Sequence, residues 1–232
     1  MEKISIVTGA ASGLGFALAE NLAGSGRKVL MIGRDKARLE AAKSRLQNRF
    51  GDSVVSFGCN IGIEAEVEKL AGFLGENNLI PEYLFNNAGR GLFQDARLTT
   101  SDQIDQIFEA NLKGLILMST MVLRFTPETE ELTIVNIMST SATLGRNEES
   151  VYCAAKWGAR GYTEALRTEL KGRQRNIIAV YPGGMKTDFW KVTSHDRNIE
   201  SFMEPAEVAD KITGAILGSK GLCVTDITIN RR

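Results

Sequence analysis

Short apolar runs alternate with longer segments of helical spacing along almost the whole chain, and that alternation leaves few folds open. Lys3–Thr8, Lys28–Ile32, Ser53–Phe57, Tyr83–Asn86, Leu132–Met138, Ile177–Tyr181 and Leu222–Ile229 read as strands. They are near-continuously apolar rather than alternating, the pattern of strands buried on both faces. Between them, Leu14–Ser25 sets Leu14, Ala17, Leu18 and Leu22 on one helical face, and Asp35–Arg49 repeats the pattern with Leu39, Ala42 and Leu46. Glu64–Glu76, Thr100–Phe125, Ser150–Leu170 and Pro205–Leu217 complete the helices, with Pro205 at a first helical position. The expectation is an α/β fold: one domain over 1–232 with a doubly wound, parallel seven-stranded sheet and helices on both faces. The segment 182–204 fits no element. It is long for an idle connection, so it is read as a substrate loop or lid.

Composition narrows the function classes. The chain has 232 residues, 43% of them hydrophobic and 24% charged, which excludes a disordered or collagen-like protein. Lys+Arg and Asp+Glu both number 28, and no basic run stands out, which argues against nucleic acid as a partner. The apolar stretch from Gly114 to Leu123 falls short of the ~20 residues of a membrane span. Ile4–Val7 is too short for a signal core, so no membrane partner and a cytoplasmic location are expected. Cys59, Cys153 and Cys223 have neither metal-ligand nor redox spacing and read as free thiols. His195, the single histidine, reads as a surface residue, and no metal site is expected.

Three motifs carry chemistry. Thr8-Gly9-Ala10-Ala11-Ser12-Gly13-Leu14-Gly15 follows the first strand and opens the first helix, where glycines let backbone N–H groups approach a pyrophosphate. Asn86-Asn87-Ala88-Gly89 ends the fourth strand, beside the point where a doubly wound sheet reverses its order. Tyr152 and Lys156 stand four residues apart on one helix, so they share a face. A nearby ammonium favours phenolate, which makes the pair a sensible acid/base unit.

Ser139 ends the fifth strand 13 residues before Tyr152, Asn111 lies in the preceding long helix, and Pro182-Gly183-Gly184-Met185-Lys186-Thr187 follows the sixth strand. In this order the set resembles the short-chain dehydrogenase/reductase family, in its compact single-domain, Rossmann-type branch. The resemblance implies an NAD(P)(H)-dependent oxidoreductase that interconverts a carbonyl and an alcohol. It implies Tyr152 as general acid, Lys156 lowering its pKa, Ser139 orienting the substrate oxygen, and Asn111 holding a water that links Lys156 to solvent. It places the cofactor on Gly9, Ser12, Gly13, Leu14 and Gly15, on Arg34, and on Asn60 and Ile61 where relatives commonly carry Asp first. Asn87, Ala88, Gly89, Pro182, Gly183 and Thr187, with Tyr152 and Lys156, complete that set. It further implies a homodimer or homotetramer.

Cofactor choice turns on Gly33-Arg34-Asp35 after the second strand. An acidic residue at the strand end bonds a ribose 2′-hydroxyl and repels a 2′-phosphate. Gly33 holds that place and Arg34 follows, so NADP(H) is favoured over NAD(H); Asp35 is the counter-argument. The substrate walls are expected at Arg90–Phe93, Ala142–Glu149 and the apolar residues of 182–204, with Arg146 to Glu149 read as a solvated turn. Two other functions stay open: a nucleotide-binding regulator without turnover, from which Tyr or Lys is usually lost, and a lyase or epimerase, usually a longer chain. The stripe Ala155, Ala159, Thr163 and Leu166 suits either a subunit contact or the chain's own sheet.

Overall fold

The apolar runs pair side by side as β1 (Glu2–Thr8), β2 (Val29–Gly33), β3 (Val54–Gly58), β4 (Leu79–Asn86), β5 (Leu132–Ile137), β6 (Arg175–Pro182) and β7 (Asp226–Ile229). In this computed structural model, which describes residues 1–192, 198–218 and 222–232, all pairs are parallel and the order is β3-β2-β1-β4-β5-β6-β7. His195 lies outside the described residues. Side chains alternate between the two faces along each strand. Val7, Met31 and Val180 pack under α1 (Gly13–Gly24), α2 (Lys36–Phe50) and α7 (Pro205–Leu217). Ile6, Leu30 and Ile134 pack under α3 (Glu64–Glu76), α5 (Gly114–Phe125) and α6 (Ser150–Glu169). Each leucine or isoleucine fully buried in these layers contributes about 1.5–3 kcal/mol.

The chain builds outward from β1 to β3, then crosses back to lay β4 on the other side of β1. That reversal opens a crevice at the carboxyl ends of β1 and β4. Polar groups pin its two lips together. Thr8 Oγ1 accepts from the Asn87 and Ala88 N–H groups, both at 3.0 Å, and Asn87 Nδ2 donates to the Thr8 carbonyl at 2.9 Å. A second polar link runs through the core. Asn86 Nδ2 donates to Asn136 Oδ1 at 2.9 Å and Asn136 Nδ2 donates to Thr163 Oγ1 at 2.8 Å, joining β4, β5 and α6.

Three boundaries differ from the sequence reading. β4 begins at Leu79 and runs through Pro81, because Ile4 pairs with Pro81 and Ser5 with Tyr83, leaving Glu82 as a bulge that absorbs the lost donor. The stretch Thr100–Phe125 is two helices, α4 (Ser101–Phe108) and α5, joined by a π-helical turn at Glu109–Lys113. There Asn111 Nδ2 takes the Ile107 carbonyl at 2.9 Å, a side chain entering the helical ladder. The last strand starts only at Asp226 and is half-exposed at the sheet edge. The small-residue stripe of α6 is buried by the chain's own sheet, with Ala155, Ala159 and Thr163 fully inaccessible, so it offers nothing to a second subunit.

Candidate active site

The crevice is lined first by the glycine turn. Gly9 and Gly13 sit at φ +65° and +54°, a left-handed conformation that favours glycine. A Cβ at Gly9 would lie 2.9 Å from the Ala88 backbone. Behind them Ser12 is the N-cap of α1; its side chain makes no capping hydrogen bond, and the first turn of the helix carries no acidic residue. The partial positive charge of this helix end is therefore left for a group outside the chain, the arrangement that receives a phosphate. These features fit the diphosphate of a dinucleotide.

One cavity of about 650 Å³ extends from this turn to the far side of the crevice. Gly9, Ser12, Gly13 and Leu14 line it, with Arg34 after β2 and Asn87, Ala88 and Gly89 after β4. Ser139, Tyr152 and Lys156 line its other end, and Pro182, Gly183 and Thr187 close it below. Four expected residues stand off this lining. Gly15 is a packing glycine: its Cβ would lie 2.3 Å from the Gly9 carbonyl oxygen. Asn60 donates to Glu109 Oε1 at 3.0 Å and accepts from the Gly62 N–H, while Ile61 is buried against Gly114. Asn111 is also buried. It donates to the Arg90 carbonyl at 2.8 Å and accepts from the Arg90 N–H, so it shapes the loop after β4.

At the mouth, Asp35 is occupied as the N-cap of α2, accepting from the Arg38 N–H at 3.0 Å. Arg38, which the sequence reading missed, lines the cavity with Arg34 and lies 3.6 Å from Asp188 in the 182–204 segment. Its spacing of four from Arg34 was the available signal, hidden by the helix start between them.

The phenol of Tyr152 is buried between aromatic rings. Phe93 and Phe189 lie 5.9 and 5.7 Å from it, centroid to centroid, and Trp190 stacks on Phe93 at 5.1 Å. Phe189, Trp190 and Phe202 come from the segment 182–204, so its described part does form a wall of the cavity. Burial pushes the Tyr152 phenol up from its ordinary value, the hydrogen bond with Ser139 pulls it down, and Glu149 adds to the rise. This reverses the direction expected from Lys156. That ammonium sits 5.7 Å from the ring centroid and donates instead to the Ile137 carbonyl at 3.2 Å. Burial draws Lys156 itself down to about 8.

The turn 146–149 is not wholly solvated. Glu149 is 3% exposed, lines the cavity and accepts from the Ser141 hydroxyl at 2.8 Å; a string of polar residues concealed it. The three cysteines are free, with Cys59 pushed up to about 11 by burial. Among the described residues no group of acidic, histidine or cysteine side chains could hold a metal, and no helix is long and apolar enough to cross a membrane.

Known proteins share the sequence pattern and the fold. The chain is 30% identical to carbonyl reductase family member 4 of Danio rerio over 94% of its own length and 96% of that protein's. The crystal structure of a short-chain dehydrogenase/reductase from Vibrio parahaemolyticus superposes with a TM-score of 0.83 at 34% identity, over 99% of this chain and 100% of that one. The 3-ketoacyl-(acyl-carrier-protein) reductase from Brucella melitensis, complexed with NADH, gives 0.86 at 26% identity, over 98% and 96%. Residues 3–198 match the family described as short chain dehydrogenase, and with that match the chain belongs to the short-chain dehydrogenase/reductase family.

Proposed function

We propose that the protein is an NADP(H)-preferring carbonyl reductase or alcohol dehydrogenase in which Tyr152 gives its proton to the substrate oxygen. The coarser part, NAD(P)(H)-dependent interconversion of a carbonyl and an alcohol, follows from family membership. The finer part rests on one observation: the glycine turn, Arg34, Ser139, Tyr152 and Lys156 all face a single cavity. When bound, the nicotinamide cofactor supplies the hydride. The chain supplies the rest. Burial keeps Tyr152 protonated, which suits a donor. Ser139 hydrogen-bonds the substrate oxygen and holds it beside the phenol. Lys156, fixed by the Ile137 carbonyl, carries positive charge beneath the site and helps return a proton to Tyr152. Asn111 and Lys156 flank Gly89, and a water held there would connect Lys156 to solvent. The aromatic wall keeps bulk water out.

NADP(H) preference is supported by two guanidinium groups at the cavity mouth and by the engagement of Asp35 in its cap. Arginine reads phosphate through paired donors. The NADH complex of the Brucella melitensis relative makes the choice specific to this chain's residues. Arg34→Ala is expected to weaken NADPH by roughly tenfold, the loss of one charge-assisted contact, with NADH within about twofold. Arg38→Ala is expected to act the same way, more weakly because Asp188 shares its charge. Parallel fluorescence titrations check both, and equal losses for the two cofactors would remove the 2′-phosphate role. A panel of aldehydes and ketones with NADPH tests the activity. Tight NADPH binding without turnover of any member would favour the regulator instead.

A further inference from the structure

The cavity holds more positive charge than the cofactor and the proton transfer use. Its carboxylates are engaged: Asp35 caps α2, Asp188 pairs with Lys191 at 2.9 Å and with Arg38, and Glu149 accepts from Ser141. Arg146 and Arg231 also line it, and among the described residues neither pairs with a carboxylate. Both are nevertheless held in place. Arg146 Nη2 donates to Thr140 Oγ1 at 2.9 Å, next to Ser139. Arg231 Nη1 donates to the Ser201 carbonyl at 3.4 Å and to the Ser201 hydroxyl oxygen, and its guanidinium lies 5.8 Å from the centre of the Phe202 ring. Both bonds use one nitrogen. The edge formed by Nε and Nη2 has no partner among the described residues, and that edge matches the two oxygens of a carboxylate.

The cofactor does not supply that anion. On the assignment above its phosphates sit at the glycine turn after β1 and at Arg34 after β2, in one half of the crevice. Arg146 follows β5 and Arg231 follows β7. In the strand order β7 stands four spacings from β1, about 19 Å away. The aromatic wall spans the other half. Tyr152 lies 5.7 Å from Phe189, Phe189 5.4 Å from Trp190, and Trp190 5.2 Å from Phe202, the ring under Arg231. A molecule laid along these rings meets the phenol at one end and the guanidinium at the other, with apolar surface between. We propose that Arg231 is a carboxylate subsite for the substrate: the protein takes an oxo acid, or the matching hydroxy acid, whose carboxylate is separated from the reacting carbon by an apolar, aromatic body. The inference rests on the carbonyl–alcohol reading of the site. An α-oxo acid, with its carboxylate directly on the carbonyl carbon, is too short to reach from the phenol to Arg231. Arg146 adds a second positive charge from the loop after β5.

The test compares para-acetylbenzoate, para-acetylphenylacetate and para-acetylphenylpropanoate with their methyl esters. Each is measured as a substrate for NADPH-driven reduction and, with NADP+ present, as a ligand by calorimetric titration. Wild type is expected to favour the best acid over its ester by about tenfold or more in kcat/KM, carried mainly by KM, the value of a paired contact to a charge. Arg231→Ala is expected to bring acid and ester to within about twofold of each other. Arg231→Lys keeps the charge without the paired donors and is expected to retain only part of the preference; if the alanine variant does not fold, as an NADPH titration reports, the lysine variant decides. Esters handled as well as acids by wild type overturn the inference, and so does an Arg231→Ala variant that loses acid and ester alike. A preference that Arg146→Ala removes and Arg231→Ala keeps overturns it too, and para-acetylphenyl phosphate preferred to every acid would replace the carboxylate with a phosphate. The titration separates this inference from the reading beneath it. If wild type binds acids over esters, Arg231→Ala abolishes that difference and no compound is reduced, the carbonyl reading fails and the carboxylate subsite stands. If the ketones are reduced without preference for the acid, the subsite fails alone. If no acid is either bound or reduced, the subsite fails as well.

Discussion

Tyr152→Phe is expected to lower carbonyl reduction by roughly 10²–10⁴-fold, the usual contribution of a positioned proton donor. NADPH affinity should change by less than about twofold, since one oxygen is removed and no charge is lost. The substitution keeps the ring between Phe93 and Phe189, so the aromatic wall and the cavity shape persist. What disappears is the buried hydroxyl and its hydrogen bond with Ser139. Parallel measurement of kcat and of NADPH titration separates the two effects. Turnover retained within about tenfold of wild type would remove Tyr152 from the role of acid, because water in a closed aromatic site cannot replace a donor that well.

Gly15→Ala is the second large effect, and it acts on the frame rather than the chemistry. A Cβ there would lie 2.3 Å from the Gly9 carbonyl oxygen and 2.5 Å from Asn87 Nδ2. Neither neighbour is free to yield. Gly9 is held in its left-handed turn, and Asn87 is tied to Thr8. Forcing atoms into such a place costs about 3 kcal/mol. In a chain of this size that lowers Tm by roughly 6–12 °C. The displaced glycine turn should also weaken NADPH by tenfold or more, on the order of 1.4 kcal/mol. Gly72→Ala is the control. It lies in α3 with nothing within 4 Å of a Cβ, and alanine there should be neutral or stabilising by up to about 1 kcal/mol. Thermal melts of the two variants that coincide would show that the turn is far more pliable than its packing implies.

Much of this architecture is legible in the sequence because its signals are local. Strands buried on both faces leave continuous apolar runs, and helices leave a four-residue stripe, so the seven-stranded sheet and the position of Tyr152 and Lys156 on one face follow directly. The glycine turn is legible for the same reason, since Gly9 and Gly13 answer to backbone conformation. What escapes is set by partners distant in the chain. The π turn at Glu109–Lys113 leaves the apolar pattern of its helix almost unchanged, because it depends on Asn111 reaching Arg90, 21 residues away. Arg38 reads as an ordinary exposed helix residue until the 182–204 segment brings Asp188 to it. Glu149 sits in a polar string, and only the fold of the loop after β5 shows that its carboxylate points inward to Ser141. Asn60 stands where a cofactor contact was expected, yet Glu109 claims its amide from the π turn. In each case the sequence shows the residue type and withholds the neighbour.

The amide pair in the core bears on how the sheet finds its alignment. Strands that are apolar on both faces carry few polar marks of their alignment. β4 and β5 belong to the half of the sheet built after the chain crosses back, and their pairing sets the frame for every strand added beyond them. Asn86 stands directly opposite Asn136, and Asn136 reaches on to Thr163 in α6. A slip of one residue would separate the amides and leave both buried among hydrocarbon, an error costing about 1–3 kcal/mol for each unmatched group. The pair therefore works as an alignment mark: it adds little to the cohesion of the sheet and makes the wrong pairings expensive.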